Sequence, residues 1–310
     1  MTATATATER SSRRGAGPST SRRALPRGPV YLGPAIVLTA LLFAYPAVST
    51  LYTSFFDTTG AGSSATFVGF ANYIQLFGDP TFWQDLVNTA VFALIFVVGT
   101  VGLGALIALA LYARIPGHSV WRFVILAPSF LPLAFIGVVW QIGLDPTVGW
   151  VTAILKAINP ALAQPWLSDQ AAVMPVIAVV SVVQGVGWPM AIIWTGLQDI
   201  PGEVVEAAVV DGAGPIQRAR FVLMPAVRDT VATVTVLQII FALKVFDMPW
   251  VMTGGGPSHS SESLTIFVYT QAFTNLNFGY ACAASVVSCI LIVGATLGYV
   301  VLSRRRGALR

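Results

Sequence analysis

Few residues in this chain could do chemistry, because only 10% of its 310 residues are charged. Lys244 and Asp247 stand three apart inside an otherwise apolar stretch, a spacing at which two side chains share one face of a helix. Charges in lipid are expensive unless paired or hydrated. The two are therefore either a structural ion pair, with the lysine reaching for the surface, or contacts for a passing solute. Gln141, Gln184, Trp188, Gln238 and Ser285 are the neutral candidates. Amides and hydroxyls hydrogen-bond and rings stack, the contacts by which a polar solute is held. What is missing narrows the chemistry further. There is no G-x-x-x-x-G-K-[ST] phosphate loop, since neither lysine (Lys156, Lys244) has a glycine beside it. His118 and His259 fall in no metal-ligand spacing. Cys282 and Cys289 lie seven apart in one apolar run, about 10 Å along a helix, beyond disulfide reach. The chain reads as a non-enzyme with no cofactor of its own.

A second group of polar residues is packed into "EAAVVDGAGPIQRARFVLMP", from Glu206 to Pro225, with long apolar stretches on both sides. Pro201 suits the first turn of a helix and Glu203 complements its N-terminus. Val204, Val205, Ala208 and Val209 form a stripe, and Gly212 after Asp211 suits a left-handed helix end. Pro215 opens a second short helix on which Ile216, Ala219 and Leu223 are expected to share a face, and Pro225 closes the unit. Two short helices at a fixed turn make a rigid knob. It either fills a groove on a partner or covers the base of its own bundle.

These residues need apolar elements to position them. With 55% hydrophobic residues and a mean hydropathy of +0.76, the composition lies far from that of a soluble domain. A bilayer crossing takes about 20 apolar residues. Six runs qualify, at roughly 30–52, 87–113, 122–144, 172–198, 227–250 and 280–302. The first is too long for the apolar core of a cleaved signal peptide, which spans about 7–15 residues. Of the 17 basic residues, 15 fall in the N-terminal tail, the loops after runs two and four, and the C-terminal tail. All of these lie on one side of a six-span chain, so the positive-inside rule puts both termini and the knob in the cytoplasm. The same clustering at the ends of apolar runs argues against a nucleic-acid-binding face despite the pI of about 9.3. The expected organisation is a disordered basic tail over 1–29, a six-helix membrane domain over 30–302, and a basic tail over 303–310.

Within the runs, Thr100, Gly104 and Ala108, and likewise Gly294 and Gly298, are spaced four apart, which allows helix backbones to approach closely in lipid. Prolines 128, 132, 175 and 189 are expected to kink or break runs three and four, either to line a path or merely to pack. Trp83, Trp150 and Trp166 suit the headgroup level of the outer loops. "TGGGPSHSSES" (253–263) reads as a flexible outer loop rich in hydroxyls.

The segment from Glu206 to Pro225 also resembles the EAA motif of ABC-transporter permease subunits, with Glu206, Ala207, Ala208, Asp211, Gly212, Ala213, Phe221 and Pro225 matching and Met224 standing where Leu is usual. "FVGFANYIQLF", "DPTFWQDLVNT", "GLQDIPGE" and "LKVFDMPWVMTGGGP" are similar to the carbohydrate-uptake branch, the last to the first permease of maltose-type importers. The similarity covers most of 30–302. It implies an all-α membrane protein whose six transmembrane helices carry a cytoplasmic EAA-type coupling helix between the fourth and the fifth. It implies a second permease subunit as heterodimer partner, two ATP-binding subunits that hold ATP and Mg, and an extracytoplasmic solute-binding protein. The location implied is a bacterial inner membrane and the cargo a sugar. Glycerol phosphate or a polyol is the alternative cargo, and an ion-coupled secondary transporter is the alternative of a different class.

Overall fold

The computed structural model describes residues 28–59, 64–113 and 116–305. Most of the tail expected over 1–29 lies outside the described residues, as do Arg114 and residues 306–310. Two units meet between Val48 and Ser49. The first contains α1 (Gly28–Thr39) and a π turn (Ala40–Ala44) that leads into α2 (Tyr45–Thr53), within which the second unit begins.

In the second unit a two-stranded antiparallel ribbon, β1 (Phe56–Asp57) and β2 (Thr66–Phe67), sets Phe56 opposite Phe67. Helices follow: α3 (Ala71–Gly78), α4 (Pro80–Tyr112), α5 (His118–Leu126), α6 (Leu133–Gly143), α7 (Trp150–Ile158), α8 (Val173–Gly185) and α9 (Gly187–Gln198). Three short pieces, α10 (Gly202–Val210), α11 (Pro215–Arg218) and α12 (Met224–Ala226), precede α13 (Arg228–Leu243), α14 (Asp247–Thr253), α15 (Leu264–Tyr269) and α16 (Phe278–Arg305). The last helix runs into the stretch expected as tail.

Four stretches are long and apolar enough to cross a membrane as single helices: Gly33–Thr53, Pro80–Tyr112, Arg228–Thr253 and Phe278–Arg305. Two bent pairs bring the total among the described residues to as many as six. His118–Phe130 meets Leu133–Gly143 at 99°, and Val173–Gly185 meets Gly187–Gln198 at 44°. The prolines account for both bends. Pro128 lies in a 3₁₀ turn (Ala127–Phe130) and Pro132 caps α6. Pro189, third in α9, has no N–H to give the carbonyl four residues back, that of Gly185, where α8 ends. Pro175 sits in the first turn of α8, where a missing N–H costs nothing, and it produces no kink.

The long helix α4 is the hub, packed on α8, α9 and α13. Asp79 starts it by accepting a 2.8 Å hydrogen bond from the Thr81 N–H, with Pro80 at the first helical position. Its buried row Phe92, Phe96, Thr100, Gly104, Ala108 repeats every four residues. In lipid, helix association comes from close packing rather than from water exclusion, and Gly104 shows how close. A Cβ there would sit 2.9 Å from the Pro189 Cβ and 3.0 Å from the Met190 nitrogen. Gly294 and Gly298, expected to behave alike, have nothing within 4 Å of a Cβ. Neither glycine is in close contact with another helix among the described residues.

Candidate functional site

Two adjoining cavities of about 360 and 350 Å³ open at the helix breaks and share Phe96, Leu133, Gln184, Leu237 and Phe241. Phe96 and Phe241 stack there with centroids 5.5 Å apart. Gln184, at the end of α8, is 7% exposed; its amide Nε2 donates to the Pro128 carbonyl at 3.4 Å, and its backbone carbonyl accepts from Ser129 Oγ at 2.9 Å. Both carbonyls belong to the proline-broken turns. The Gln238 amide donates to Thr100 Oγ1 at 3.0 Å, and that hydroxyl donates to the Phe96 carbonyl. Each glutamine thus fixes a break or a helix contact through its N–H and leaves its amide oxygen without a protein donor among the described residues. Trp188 stands beside them, edge-on to Phe130 at 5.6 Å.

Of the candidates named from sequence, Gln184, Trp188, Gln238, Lys244 and Asp247 gather around these two cavities. Gln141 lines a separate cavity with Asp145, Ser168 and the 251–257 segment. Ser285 sits half-buried on α16 and lines none of the three. The expectation that Lys244 and Asp247 face one another on a helix is corrected. Leu243 ends α13, Lys244 caps it, and Asp247 opens α14. Helical bonding is interrupted over 244–246, so the three-residue spacing loses its meaning, and they form no ion pair.

The segment from Glu206 to Pro225 is built much as its residues dictate. Pro201 is the N-cap of α10 rather than part of its first turn. Gly212 takes φ +80°, its N–H bonds to the Val209 carbonyl and that of Ala213 to the Ala208 carbonyl at 2.9 Å. This double closure is the Schellman helix end. Gln217 then reaches back to the Gly214 N–H at 2.8 Å and starts α11. Glu206, Ala207, Asp211, Gly212 and Pro225 are exposed, while Ala208 and Ala213 are half-buried. The shared face expected for Ile216, Ala219 and Leu223 does not form. Leu223 is buried, Ala219 half-buried, and Ile216 83% exposed. A π turn (Ala219–Leu223), in which the Met224 N–H bonds to the Ala219 carbonyl, shifts the register just before Pro225. The same device, a π turn ending one residue before the helical residue that precedes a proline, occurs at Tyr45 and Pro46. The result is a knob with Val210 (87%), Ile216 and Phe221 (68%) turned outward. It does not use these side chains to cover its own bundle.

Residues 253–263 overturn the flexible-loop expectation. Ser260, Ser261, Glu262 and Ser263 are buried. Ser263 Oγ donates to the Val245 carbonyl at 2.7 Å, Ser261 Oγ to that of Gly256 at 2.6 Å, and Thr253 and Ser261 share a hydroxyl contact. His259 and Glu262 pair. From α4, Asn88 donates to the carbonyls of His259 (2.8 Å) and Glu262 (3.1 Å), and Thr89 Oγ1 accepts from the Leu264 N–H at 3.0 Å. Close to this strap lies Asp85, fully buried, with neither carboxyl oxygen partnered among the described residues and with Glu262 and Asp79 as acidic neighbours. The cluster Gln84, Asp85, Asn88, Thr89 at the start of α4 was the signal in the sequence for a buried polar seam.

Apolar helices broken around polar-lined cavities, with an outward-facing apolar knob on one connection, define a membrane permease subunit. The chain belongs to the family described as binding-protein-dependent transport system inner membrane component, whose pattern it matches over residues 100–307. It is 33% identical over 278 residues to the sulfoquinovosyl glycerol transport system permease protein SmoG of Agrobacterium fabrum, covering 89% of each chain. It is 32% identical to the multiple sugar-binding transport system permease protein MsmF of Streptococcus mutans, covering 87% of this chain and 92% of that one. The sn-glycerol-3-phosphate transport system permease protein UgpA of A. fabrum is 29% identical over 86% of this chain and 90% of its own length. The crystal structure of a bacterial ABC transporter involved in the import of the acidic polysaccharide alginate has the same fold, with a TM-score of 0.79, 18% identity, and coverage of 89% and 94%.

Proposed function

We propose that this chain is one permease of an ATP-driven ABC importer for a sugar or oligosaccharide, with six spans, both termini cytoplasmic, and α10 as coupling helix. The observation that carries the reading is the cavity pair. Two acceptor amides, Gln184 and Gln238, face rings of Phe96, Phe241 and Trp188 at the points where helices break, a surface suited to hydroxyls on one side and to the apolar face of a sugar ring on the other. The knob supports the mechanical half. Its exposed Val210, Ile216 and Phe221 fit a cleft on an ATP-binding subunit, and small Ala207 and Ala208 permit close approach. The partners are a second permease, two copies of the ATPase, which hold ATP and Mg, and an extracytoplasmic binding protein.

A second reading, an importer of a glycerol phosphate, is favoured by the UgpA relatives and by the unpaired Lys244 at the cavity. Purification of the tagged chain from its native membrane in mild detergent tests both. A second permease and an ATPase should accompany it and be lost on Glu206 or Ala207 substitution. The ligand of the co-isolated binding protein then decides between sugar and phosphate ester. A chain that arrives alone and carries solute down an ion gradient refutes the importer.

A further inference from the structure

A cavity of about 710 Å³ opens where the C-terminal ends of α4 and α9 meet the start of α5, and it shares no lining residue with the glutamine-lined pair. It is lined by Leu111, Tyr112, His118, Arg122, Trp194 and Gln198. Every polar side chain in that set can donate a hydrogen bond, and none is acidic. The Arg122 guanidinium lies 4.5 Å from the centre of the Trp194 ring, which holds it in place by a cation–π contact. It has no carboxylate partner among the described residues. α5 starts at the cavity, with Gly117 as its cap and His118 in the lining, so the positive end of its dipole has the same sign as Arg122. A positively charged pocket of donors with no anion supplied by the described residues is a receptor for one.

The surroundings identify the anion. On the same helix as Arg122 and within two residues of it, Val120, Trp121, Phe123 and Val124 are all exposed. A soluble phosphate has no use for such a surface, whereas acyl chains do. Basic pockets between membrane helices are a recurrent form of headgroup site. We propose that this cavity binds the phosphodiester headgroup of an anionic phospholipid, with Arg122 and Gln198 on the phosphate and the lipid tails along Val120 and Phe123. The site is separate from the glutamine-lined cavities and lies at the end of α9 that leads into the Glu206–Pro225 segment.

Native mass spectrometry of the full chain, released from nanodiscs of equimolar phosphatidylglycerol and phosphatidylcholine, tests it. Phosphatidylglycerol adducts should outnumber phosphatidylcholine adducts. Arg122→Gln should cut that preference about fivefold, the ratio that corresponds to about 1 kcal/mol for one basic side chain at a lipid surface. Because Arg122→Gln also removes the contact with Trp194, Gln198→Leu is the second variant. It should lower the preference while leaving the melting temperature in phosphatidylcholine alone unchanged. Equal adducts of the two lipids, or a preference unmoved by both variants, overturn the proposal. So does protection by inorganic phosphate equal to that by phosphatidylglycerol in a thermal-shift assay, since the donor set would then be reading free phosphate.

Discussion

Asn88→Leu isolates the bond that holds the strap. One amide on α4 donates to two carbonyls of the segment, at 2.8 and 3.1 Å, and leucine keeps the volume but neither donor. Each such bond contributes about 0.5–1.5 kcal/mol net. The pair should therefore hold the strap closed by about 1–3 kcal/mol, which is about a 5- to 150-fold change in its opening equilibrium. Gln84, exposed and giving a single 3.2 Å bond to the Ser258 carbonyl, sets the scale for a weak contact. Its replacement by leucine should stay within about fivefold. Hydrogen exchange is the assay, because the Ser261 N–H is bonded to the Gly255 carbonyl and the Leu264 N–H to Thr89 Oγ1, and both exchange only when the strap opens. Faster exchange should be confined to 256–264. Wild-type rates in that stretch would refute the clamp. Equal acceleration through α13 and α16 would mean that the substitution loosened the whole bundle instead.

Ala207→Arg should abolish uptake in proteoliposomes holding the complete transporter while ATP hydrolysis continues, and normal uptake would remove α10 from the coupling role. Gly104→Leu should lower the melting temperature of the purified chain by an amount equivalent to about 1–3 kcal/mol of overpacking, whereas Gly298→Leu, with open space around its Cβ, should not; equal effects would contradict the packing described for α4 and α9. Asp85→Leu should raise the melting temperature, since an unsatisfied buried polar group costs about 1–3 kcal/mol, and a fall would show that the carboxyl has a partner in the assembled protein. Asp145 accepts bonds from the Thr147 hydroxyl and from the Thr147 and Val148 amides, and these hold its carboxyl below the ordinary value of 3.8. Because the folded value is the lower one, the stabilisation is full above 3.8 and disappears as pH falls through the folded value; Trp150, whose ring packs against Gly143 at the end of this turn, should report the loss by fluorescence, and Asp145→Asn should remove that acid transition.

How much of this was legible in the sequence depended on whether the determinant was local. Span-length apolar runs, the Gly212 helix end and the bends at Pro128, Pro132 and Pro189 are set by residues within a turn of the feature, and they were readable. Lys244 and Asp247 misled because the mark of the break at 244–246 is Pro249, third in α14 as Pro189 is in α9, and it lies beyond the pair being counted. Ile216 misled because a π turn adds a residue to the repeat, and its cause, Pro225, lies beyond the face being counted. The strap was invisible for a different reason. Glycines, serines and a histidine have the composition of a surface loop, and their burial comes from Asn88 and Thr89, more than 160 positions earlier. Gln184 and Gln238 could be named as polar residues in apolar runs, but not that each would keep its amide oxygen free by giving its N–H to a broken turn or to Thr100.

The packing gives the proposed lever its physical form. α10 follows α9 through only Asp199–Pro201, so a push on the knob acts directly on the end of α9. At its other end α9 is pinned to α4 where Gly104 meets Pro189 and Met190, contacts too close for sliding without separation. Three residues beyond that pin lies Val186, where α8 and α9 meet at 44° and the backbone bond to Gly185 is missing. A rigid rod held near one end and loaded at the other turns at its weakest joint. That joint adjoins Gln184, whose backbone carbonyl is tied to Ser129 and whose amide is tied to Pro128. Rotation of α9 must therefore either stretch those two bonds or carry the α5–α6 bend with it. In both cases the wall of the cavity moves while the α4 hub stays in place, which is the motion that the proposed transport cycle requires of this chain.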